Sequence, residues 1–213
     1  MSDPDRADRA ARAAQRALLK ALRKDVVDRR IRSLTHFTSL SNVSTIHSFG
    51  ILSRKRSKGL PCDVTDAARS ESDHVSLSIT FPDDKTFLTA RRTYPDRAWA
   101  VIQVQTAVLW RRPCLFSSGH ASDASMADPV ETTSYNDLAS FRAMFETENA
   151  DRPKDARAEV LVLDTVPREL IQRICVECES DRQLAKSQYG IQVGDLTVMP
   201  FLFQPRFERK AKS

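Results

Sequence analysis

Residues 75–82 constrain this chain more tightly than any other stretch. Val75, Leu77, Ile79 and Phe81 alternate with Ser76, Ser78 and Thr80, and Pro82 follows. Successive side chains on a strand point to opposite faces. A period of two therefore predicts a half-buried strand with one apolar and one small polar face, ended by the proline. Two further runs read as strands: Trp99–Gln105, after the turn signal Pro95 and Asp96, and residues 160–163, a short apolar run entered through Glu159. Residues 196–203 read as a closing strand.

Helices interrupt these strands. Asp3 and Pro4 make an N-cap and first-turn pair, and no Gly or Pro recurs before Ile31, so a helix is predicted over that span. Leu18, Leu22 and Val26 give it a short apolar stripe. Arg6, Arg9, Arg12, Arg16, Lys20 and Arg23 give it a basic face. The expectation is a helix loosely held at first that docks near Leu22. Residues 41–49 read as a short helix with Gly50 as its left-handed terminal residue. Three more helices are expected: residues 136–146 capped by Asn136, a short one from Pro167 capped by Thr165, and residues 180–187 stopped at Tyr189 and Gly190. Residues 54–73 and 117–135 lack periodicity and read as loops, and long loops in compact domains usually carry function. The fold class is α+β.

The position of the charge narrows the partners. The formal net charge is +5, and residues 1–32 hold ten Lys/Arg against five Asp/Glu, while the remainder holds twenty-three of each. This divides the chain into a basic N-terminal helical extension, 1–32, and a domain, 33–213. A separable basic segment suits nucleic acid or an acidic partner, although most charge runs are simply solvated. Local basic clusters occur at Arg54 to Arg56 with Lys58, at Arg91 and Arg92, and at Arg111 and Arg112. No apolar run approaches about 18 residues, so no membrane span is expected. The charged start lacks the apolar core of a signal peptide, which points to the cytoplasm and to reduced thiols for Cys62, Cys114, Cys175 and Cys178. Cys175 and Cys178 form a C-x-x-C without a second pair, and the histidines at 36, 47, 74 and 120 lack ligand spacing, so no metal is expected. With five glycines and no phosphate-binding glycine motif, neither a P-loop nor a dinucleotide fold fits.

The candidate site residues are individually unremarkable. Glu159 opens an apolar strand, His36 and Thr38 share one face of an extended segment, and Arg69 precedes the strand at 75. Taken singly, they would be read as a strand-entry Glu, a core or surface His and a solvated loop Arg.

Their order and wording say more. His36, Thr38, Asn42, Ile46 and Gly50 are followed by Arg69, the strand 75–82, Lys85 and Phe87, then Val108, Leu109 and Trp110, Cys114 and Phe116, the stretch 158–162, and Leu202, Phe203 and Arg206. This succession over roughly residues 34–206 resembles the DarT family, toxins that ADP-ribosylate bases of single-stranded DNA. The resemblance implies an ADP-ribosyltransferase-like split, mostly antiparallel sheet with short helices and long loops. It implies NAD+ as a consumed substrate with no metal, and an antitoxin partner of macrodomain type in a toxin–antitoxin or phage-defence setting. It also implies roles. Glu159 would be the catalytic carboxylate, stabilising an oxocarbenium-like ribose as the cationic nicotinamide leaves. Arg69 would bind phosphate and polarise the complex. His36, Thr38, Asn42 and Lys85 would complete the NAD+ site. The acceptor would meet Arg157, Lys154, Arg54 and Arg56. A monomer is expected.

This chain departs from the family at three places. Arg157 stands where the family usually has Gln, two residues before the Glu. Asp83 and Asp84 replace Asn-Tyr ahead of Lys85, and His120 stands where an Asn is usual. Because the residue at Arg157 typically contacts the acceptor, and Arg suits a guanine edge, guanine is expected over thymine. Three alternatives stay open: an RNA or protein acceptor, an NAD+ hydrolase, and a non-catalytic nucleic-acid-binding module.

Overall fold

A computed structural model describes residues 4–63, 72–119, 134–147, 150–192 and 195–205. Helix α1 runs Pro4–Asp28. Its side chains from residue 8 to 17 are exposed, whereas Leu22 and Val26 are fully buried. Asp25 takes two hydrogen bonds from Arg142, at 2.6 and 3.0 Å. Arg29 is buried over the Phe145 ring and donates to the Thr147 carbonyl at 2.7 Å. The helix ends without a glycine. Arg30 takes φ 57, its N–H bonds Val27 O, and the Ile31 N–H reaches back to Val26 O. This is a Schellman closure, and the apolar pair that accompanies it, Val26 with Ile31, joins the main core.

Strand β1, Ser33–Ser39, leads into a 3₁₀ turn, Leu40–Asn42, and helix α2, Val43–Phe49. Gly50 closes α2 with φ 80 but ψ −173, so it is not in the left-handed helical well that the sequence suggested. Its glycine requirement comes from crowding. A Cβ would lie 2.3 Å from the Val166 carbonyl oxygen, where strand β2, Ile51–Leu52, pairs with strand β7, Thr165–Val166. One helical turn, α3, Arg54–Ser57, interrupts the expected loop.

The remaining elements complete an α+β fold. They are β3 His74–Ile79, α4 Asp84–Thr93, β4 Trp99–Gln105, α5 Val108–Arg111, β5 Cys114–Ser117, α6 Leu138–Ala143, β6 Glu159–Leu163, β8 Ile171–Val176, α7 Glu179–Tyr189 and β9 Leu196–Val198. Seven strands form one sheet in the order β5-β6-β3-β1-β4-β8-β9, antiparallel except for the last pair. Alternation divides β4 between two cores. Ala100, Ile102 and Val104 face the larger one beneath α1. Trp99 and Val101 face a smaller aromatic one with Phe37, Phe87 and Phe203.

Several local readings fail for identifiable reasons. β3 stops at Ile79 because Thr80 turns to φ 67 and Phe81 N–H folds back to Ile79 O. Helix α4 is capped by Asp83, whose carboxylate accepts from Lys85 N–H at 3.0 Å. That helix was hidden by the proline and paired aspartates before it. The cap of α6 is Asp137, while Asn136 sits at φ 59 and spends its amide on the Leu109 and Arg112 carbonyls. After Pro167 there is only a 3₁₀ turn, Arg168–Leu170, before β8. The expected closing strand breaks at Pro200 into β9 and a 3₁₀ turn, Pro200–Phe203. Most of the expected 117–135 loop lies outside the described residues. Among those described, no helix is long and apolar enough to cross a membrane.

Candidate active site

The sheet is complete on one side of β1 and splits on the other. β1 pairs with β4 along all seven residues, but with β3 only at Leu34 with Ile79 and Thr35 with Ser78. Beyond those two pairs the strands part, and the gap opens into a cleft of about 500 Å³. That volume lies within the range of small-molecule and cofactor sites.

Each side of the split contributes chemistry. From β1, His36 gives a ring whose Nδ1 lies 3.0 Å from the Ser76 carbonyl oxygen. A carbonyl only accepts, so Nδ1 carries the hydrogen and Nε2 keeps its lone pair for a hydroxyl donor. Burial holds this imidazole's pKa down to about 4, against the raising effect of the Ser76 hydrogen bond, so it is neutral at physiological pH. From the far side comes Glu159, the first residue of β6 and only 7% exposed. It pairs in register with Ser78, and its Oε1 accepts a short hydrogen bond from the Ser76 hydroxyl. Ser76 thus ties the two functional groups together, with its carbonyl on His36 and its hydroxyl on Glu159.

Thr38 and Asn42 also line the cleft, but Asn42 is committed to scaffolding. Its amide donates to Thr38 Oγ1 and Asp63 O, both at 2.9 Å, and its oxygen accepts from Asp63 N–H at 2.7 Å. It locks residue 63 against β1. The Asp63 carboxylate accepts from Ser41 and Ser39, and these bonds, Ser41 first, hold its pKa below the usual range.

Cations ring the opening. Arg54, Lys85 and Arg157 line the cleft. Arg157 lies in a turn before β6 and not on the strand, and it reaches the cleft from there. Its Nη2 meets Asp155 Oδ2 at 2.9 Å and its Nε meets Oδ1 at 3.3 Å. That pairing holds the Asp155 pKa down. Arg56 and Lys154 stand outside the cleft lining. Arg56 pairs with Asp164 at 3.3 Å, and Lys154 is exposed. Arg69 and His120 lie outside the described residues. Among the described residues, no group of three His, Cys, Asp or Glu has metal-site geometry.

Reading the sequence missed Ser76, Asp63 and Asp155. Ser76 had a signal, since it lies on the polar face of the alternating strand. The pairing of that face with Glu159 had none.

No curated protein matches the chain. Solved structures do. Thermosipho africanus DarTG in complex with ADP-ribose superposes with a TM-score of 0.58 at 19% identity, covering 81% of this chain and 51% of that one. The chain therefore spans about half the length of that protein. Thermus sp. 2.9 DarT in complex with ADP-ribosylated ssDNA gives 0.56 at 13% identity, covering 82% and 97% of the two chains. The same DarT in complex with carba-NAD+ gives 0.55 at 13% identity, covering 82% and 98%. At these identities the likeness establishes the fold. The family model for "ssDNA thymidine ADP-ribosyltransferase, DarT" matches residues 35–203, from the split strand β1 to the closing 3₁₀ turn, and on that match the chain belongs to the DarT family.

Proposed function

We propose that this chain transfers ADP-ribose from NAD+ to a base of single-stranded DNA. The observation that carries this reading is the Glu159 carboxylate, buried in the sheet's split and joined to His36 through Ser76. In the proposed step, the bond between ribose C1′ and the nicotinamide nitrogen breaks and its electron pair leaves with neutral nicotinamide. Positive charge then develops at C1′, where Glu159 stabilises it. A ring nitrogen or amine of the base forms the new bond to C1′, and the proton it sheds passes to the Glu159 carboxylate. His36 Nε2 accepts from a ribose hydroxyl. Lys85 and Arg54 attract the pyrophosphate, with Arg69 completing that set. The related structures support this reading through what they hold: carba-NAD+ in one and ADP-ribosylated ssDNA in another.

Two observations pull apart over the acceptor base. The family description names thymidine. Arg157 favours guanine, because a guanidinium can donate to two guanine acceptors while Asp155 beside it accepts from guanine N–H groups. We further propose that residues 33–213 carry the catalytic groups, on a core that the second half of α1 completes through Leu22 and Val26, that the protein acts as a monomer in the cytoplasm, and that its partner is a macrodomain-type antitoxin. The likeness to a DarTG protein in complex with ADP-ribose supports an antitoxin partner.

The deciding experiment incubates the protein with labelled NAD+ and separate DNA, RNA and protein pools, then digests the DNA for mass spectrometry. Label on a DNA base, lost in Glu159→Ala, is the expected result. Label confined to RNA or protein, or release of nicotinamide with no acceptor labelled, defeats the reading.

A further inference from the structure

The rim of the cleft carries an aromatic pair that NAD+ cleavage leaves unused. His74 opens β3 and lines the cleft. Its Nδ1 lies 2.7 Å from Asp73 Oδ1, and its Nε2 lies 3.4 Å from the Tyr135 hydroxyl. The two rings stack at 6.2 Å with 30° between their planes. Tyr135 is 40% exposed and stands outside the cleft lining. Its backbone is nonetheless anchored. The next residue, Asn136, is buried and donates from its backbone to Cys114 O and from its amide to Leu109 O, each at 2.7 Å. The tyrosine thus meets the imidazole at its hydroxyl, is anchored through its neighbour, and is partly open to solvent. Cations stand close by, with Arg54 in the cleft wall and Arg56 held against Asp164. A rigid aromatic face beside cations is how proteins hold single strands with little regard to sequence.

We propose that Tyr135, held at its hydroxyl by His74, stacks a base of the acceptor strand near the one that reacts. This rests on the reading that the acceptor is single-stranded DNA. The ring stands outside the cleft lining, which favours a base of the strand over the adenine of NAD+. Separation supports a neighbouring base over the reacting one. The Glu159 carboxylate is held at Ser76, two residues along β3 from His74, which is roughly 7 Å of strand, and the Tyr135 ring centre stands a further 6.2 Å from that imidazole.

Tyr135→Ala and Tyr135→Phe test this, with KM measured for a short single-stranded oligonucleotide at saturating NAD+ and KM for NAD+ measured at saturating oligonucleotide. Loss of one stacked base raises the oligonucleotide KM by roughly five- to a hundredfold in Tyr135→Ala, while Tyr135→Phe keeps it near wild type. Moving an abasic site along the oligonucleotide should reveal one position near the modified base at which the Tyr135→Ala penalty disappears, because the partner is already gone. An unchanged oligonucleotide KM in Tyr135→Ala, or a penalty that survives every abasic position, overturns the platform. A raised KM for NAD+ instead assigns the ring to adenine and also overturns it. If wild-type protein modifies no DNA, the acceptor reading itself has failed, and the wild-type control shows this before any variant is compared.

Discussion

The inner wall of the cleft and its rim are built differently. His36, Ser76 and Glu159 sit on central strands, and their positions are set by backbone ladders and by hydrogen bonds that cross the split. The rim groups lie on short or irregular pieces. Arg54 is on a single helical turn, Lys85 on the first turn of α4, and Arg157 in a turn where an aspartate two residues away takes its guanidinium. Bond cleavage needs reacting groups held to a fraction of an ångström, which strands provide. Partly exposed ion pairs contribute little and rearrange readily. On the proposed function, the difference separates a fixed centre that cleaves the nicotinamide bond from an adjustable rim, where Arg54 and Lys85 meet the pyrophosphate and Arg157 meets the acceptor.

The strongest way to break that separation is at Glu159. Glu159→Ala should lower transfer by at least about 100-fold, the scale for losing one preorganised electrostatic group, with an unchanged near-UV circular dichroism spectrum. Ser76→Ala should cost less, on the order of tenfold, because it removes one hydrogen bond that holds the carboxylate and leaves the carboxylate itself in place. Nicotinamide release followed by chromatography measures both. A folded Glu159→Ala protein with near-normal turnover would place the cleaving centre elsewhere.

The next test uses pH on the other side of the split. The His36 pKa is lowered from 6.5 to about 4 in the fold, chiefly by burial. Its stabilising effect is therefore complete above pH 6.5 and is lost as pH falls toward 4, because the unfolded chain takes up the proton first. Urea midpoints should fall between pH 6.5 and 4 by an amount equivalent to about 1–3 kcal/mol. His36→Asn should flatten that part of the profile. Asp63 and Asp155 are held below the usual carboxylate pKa, so their contributions disappear only at lower pH and do not mask this window. A wild-type midpoint constant from pH 7 to 4.5 would mean the ring is not held neutral.

The inner wall was far more legible in the sequence than the rim, for a physical reason. Alternation at 75–79 and the apolar run after Glu159 record burial on a sheet, and burial leaves a periodic trace. His36 and Glu159 could be found from that trace and from resemblance. What brings them together is the register of Ser78 with Glu159 and the early parting of β1 from β3, and no single segment encodes either. The rim misled in two ways. Asn42 has a polar side chain facing the cleft yet is consumed by Thr38 and Asp63. Arg157 stands in a turn, beside an aspartate partner that its place two residues before Glu159 does not suggest. The missed helix α4 and strand β8 follow Pro82 and Pro167, where local turn signals outweighed the weak amphipathic pattern beyond them.

The rim should respond to substitution by changing preference before rate. Arg157→Gln and Asp155→Asn each disrupt the pair, and a bidentate guanine contact is worth about 1–3 kcal/mol of discrimination. The expected outcome is a shift of roughly tenfold in the guanine-to-thymine adduct ratio, with nicotinamide release changed severalfold less. Nucleoside mass spectrometry after reaction with a mixed-sequence oligonucleotide gives the ratio. If both variants keep the wild-type ratio while losing turnover, Arg157 belongs to the cleaving centre and the separation of wall from rim fails there.

The smallest effect concerns α1, where fixed and adjustable parts meet within one helix. Residues 1–15 hold three Arg and three Asp, so they are neutral, and the +5 of the first 32 residues comes from seven Lys/Arg against two Asp in residues 16–32. Part of that charge is structural. Arg29 is buried and Arg23 lies over the Trp110 ring, and truncating past Leu22 would remove core. Arg16 and Lys20 are exposed and can be changed without touching packing. If this stretch follows the DNA backbone, replacing both with Gln should flatten the log–log salt dependence of single-strand binding by about 0.7 for each phosphate no longer neutralised, up to roughly 1.4, and leave NAD+ turnover unaltered. Removing residues 1–15 should leave the slope where it was. Fluorescence anisotropy across a salt series separates the two. A slope that falls on removing the neutral turns but not on replacing Arg16 and Lys20 would show that the helix binds through shape or docking instead of charge.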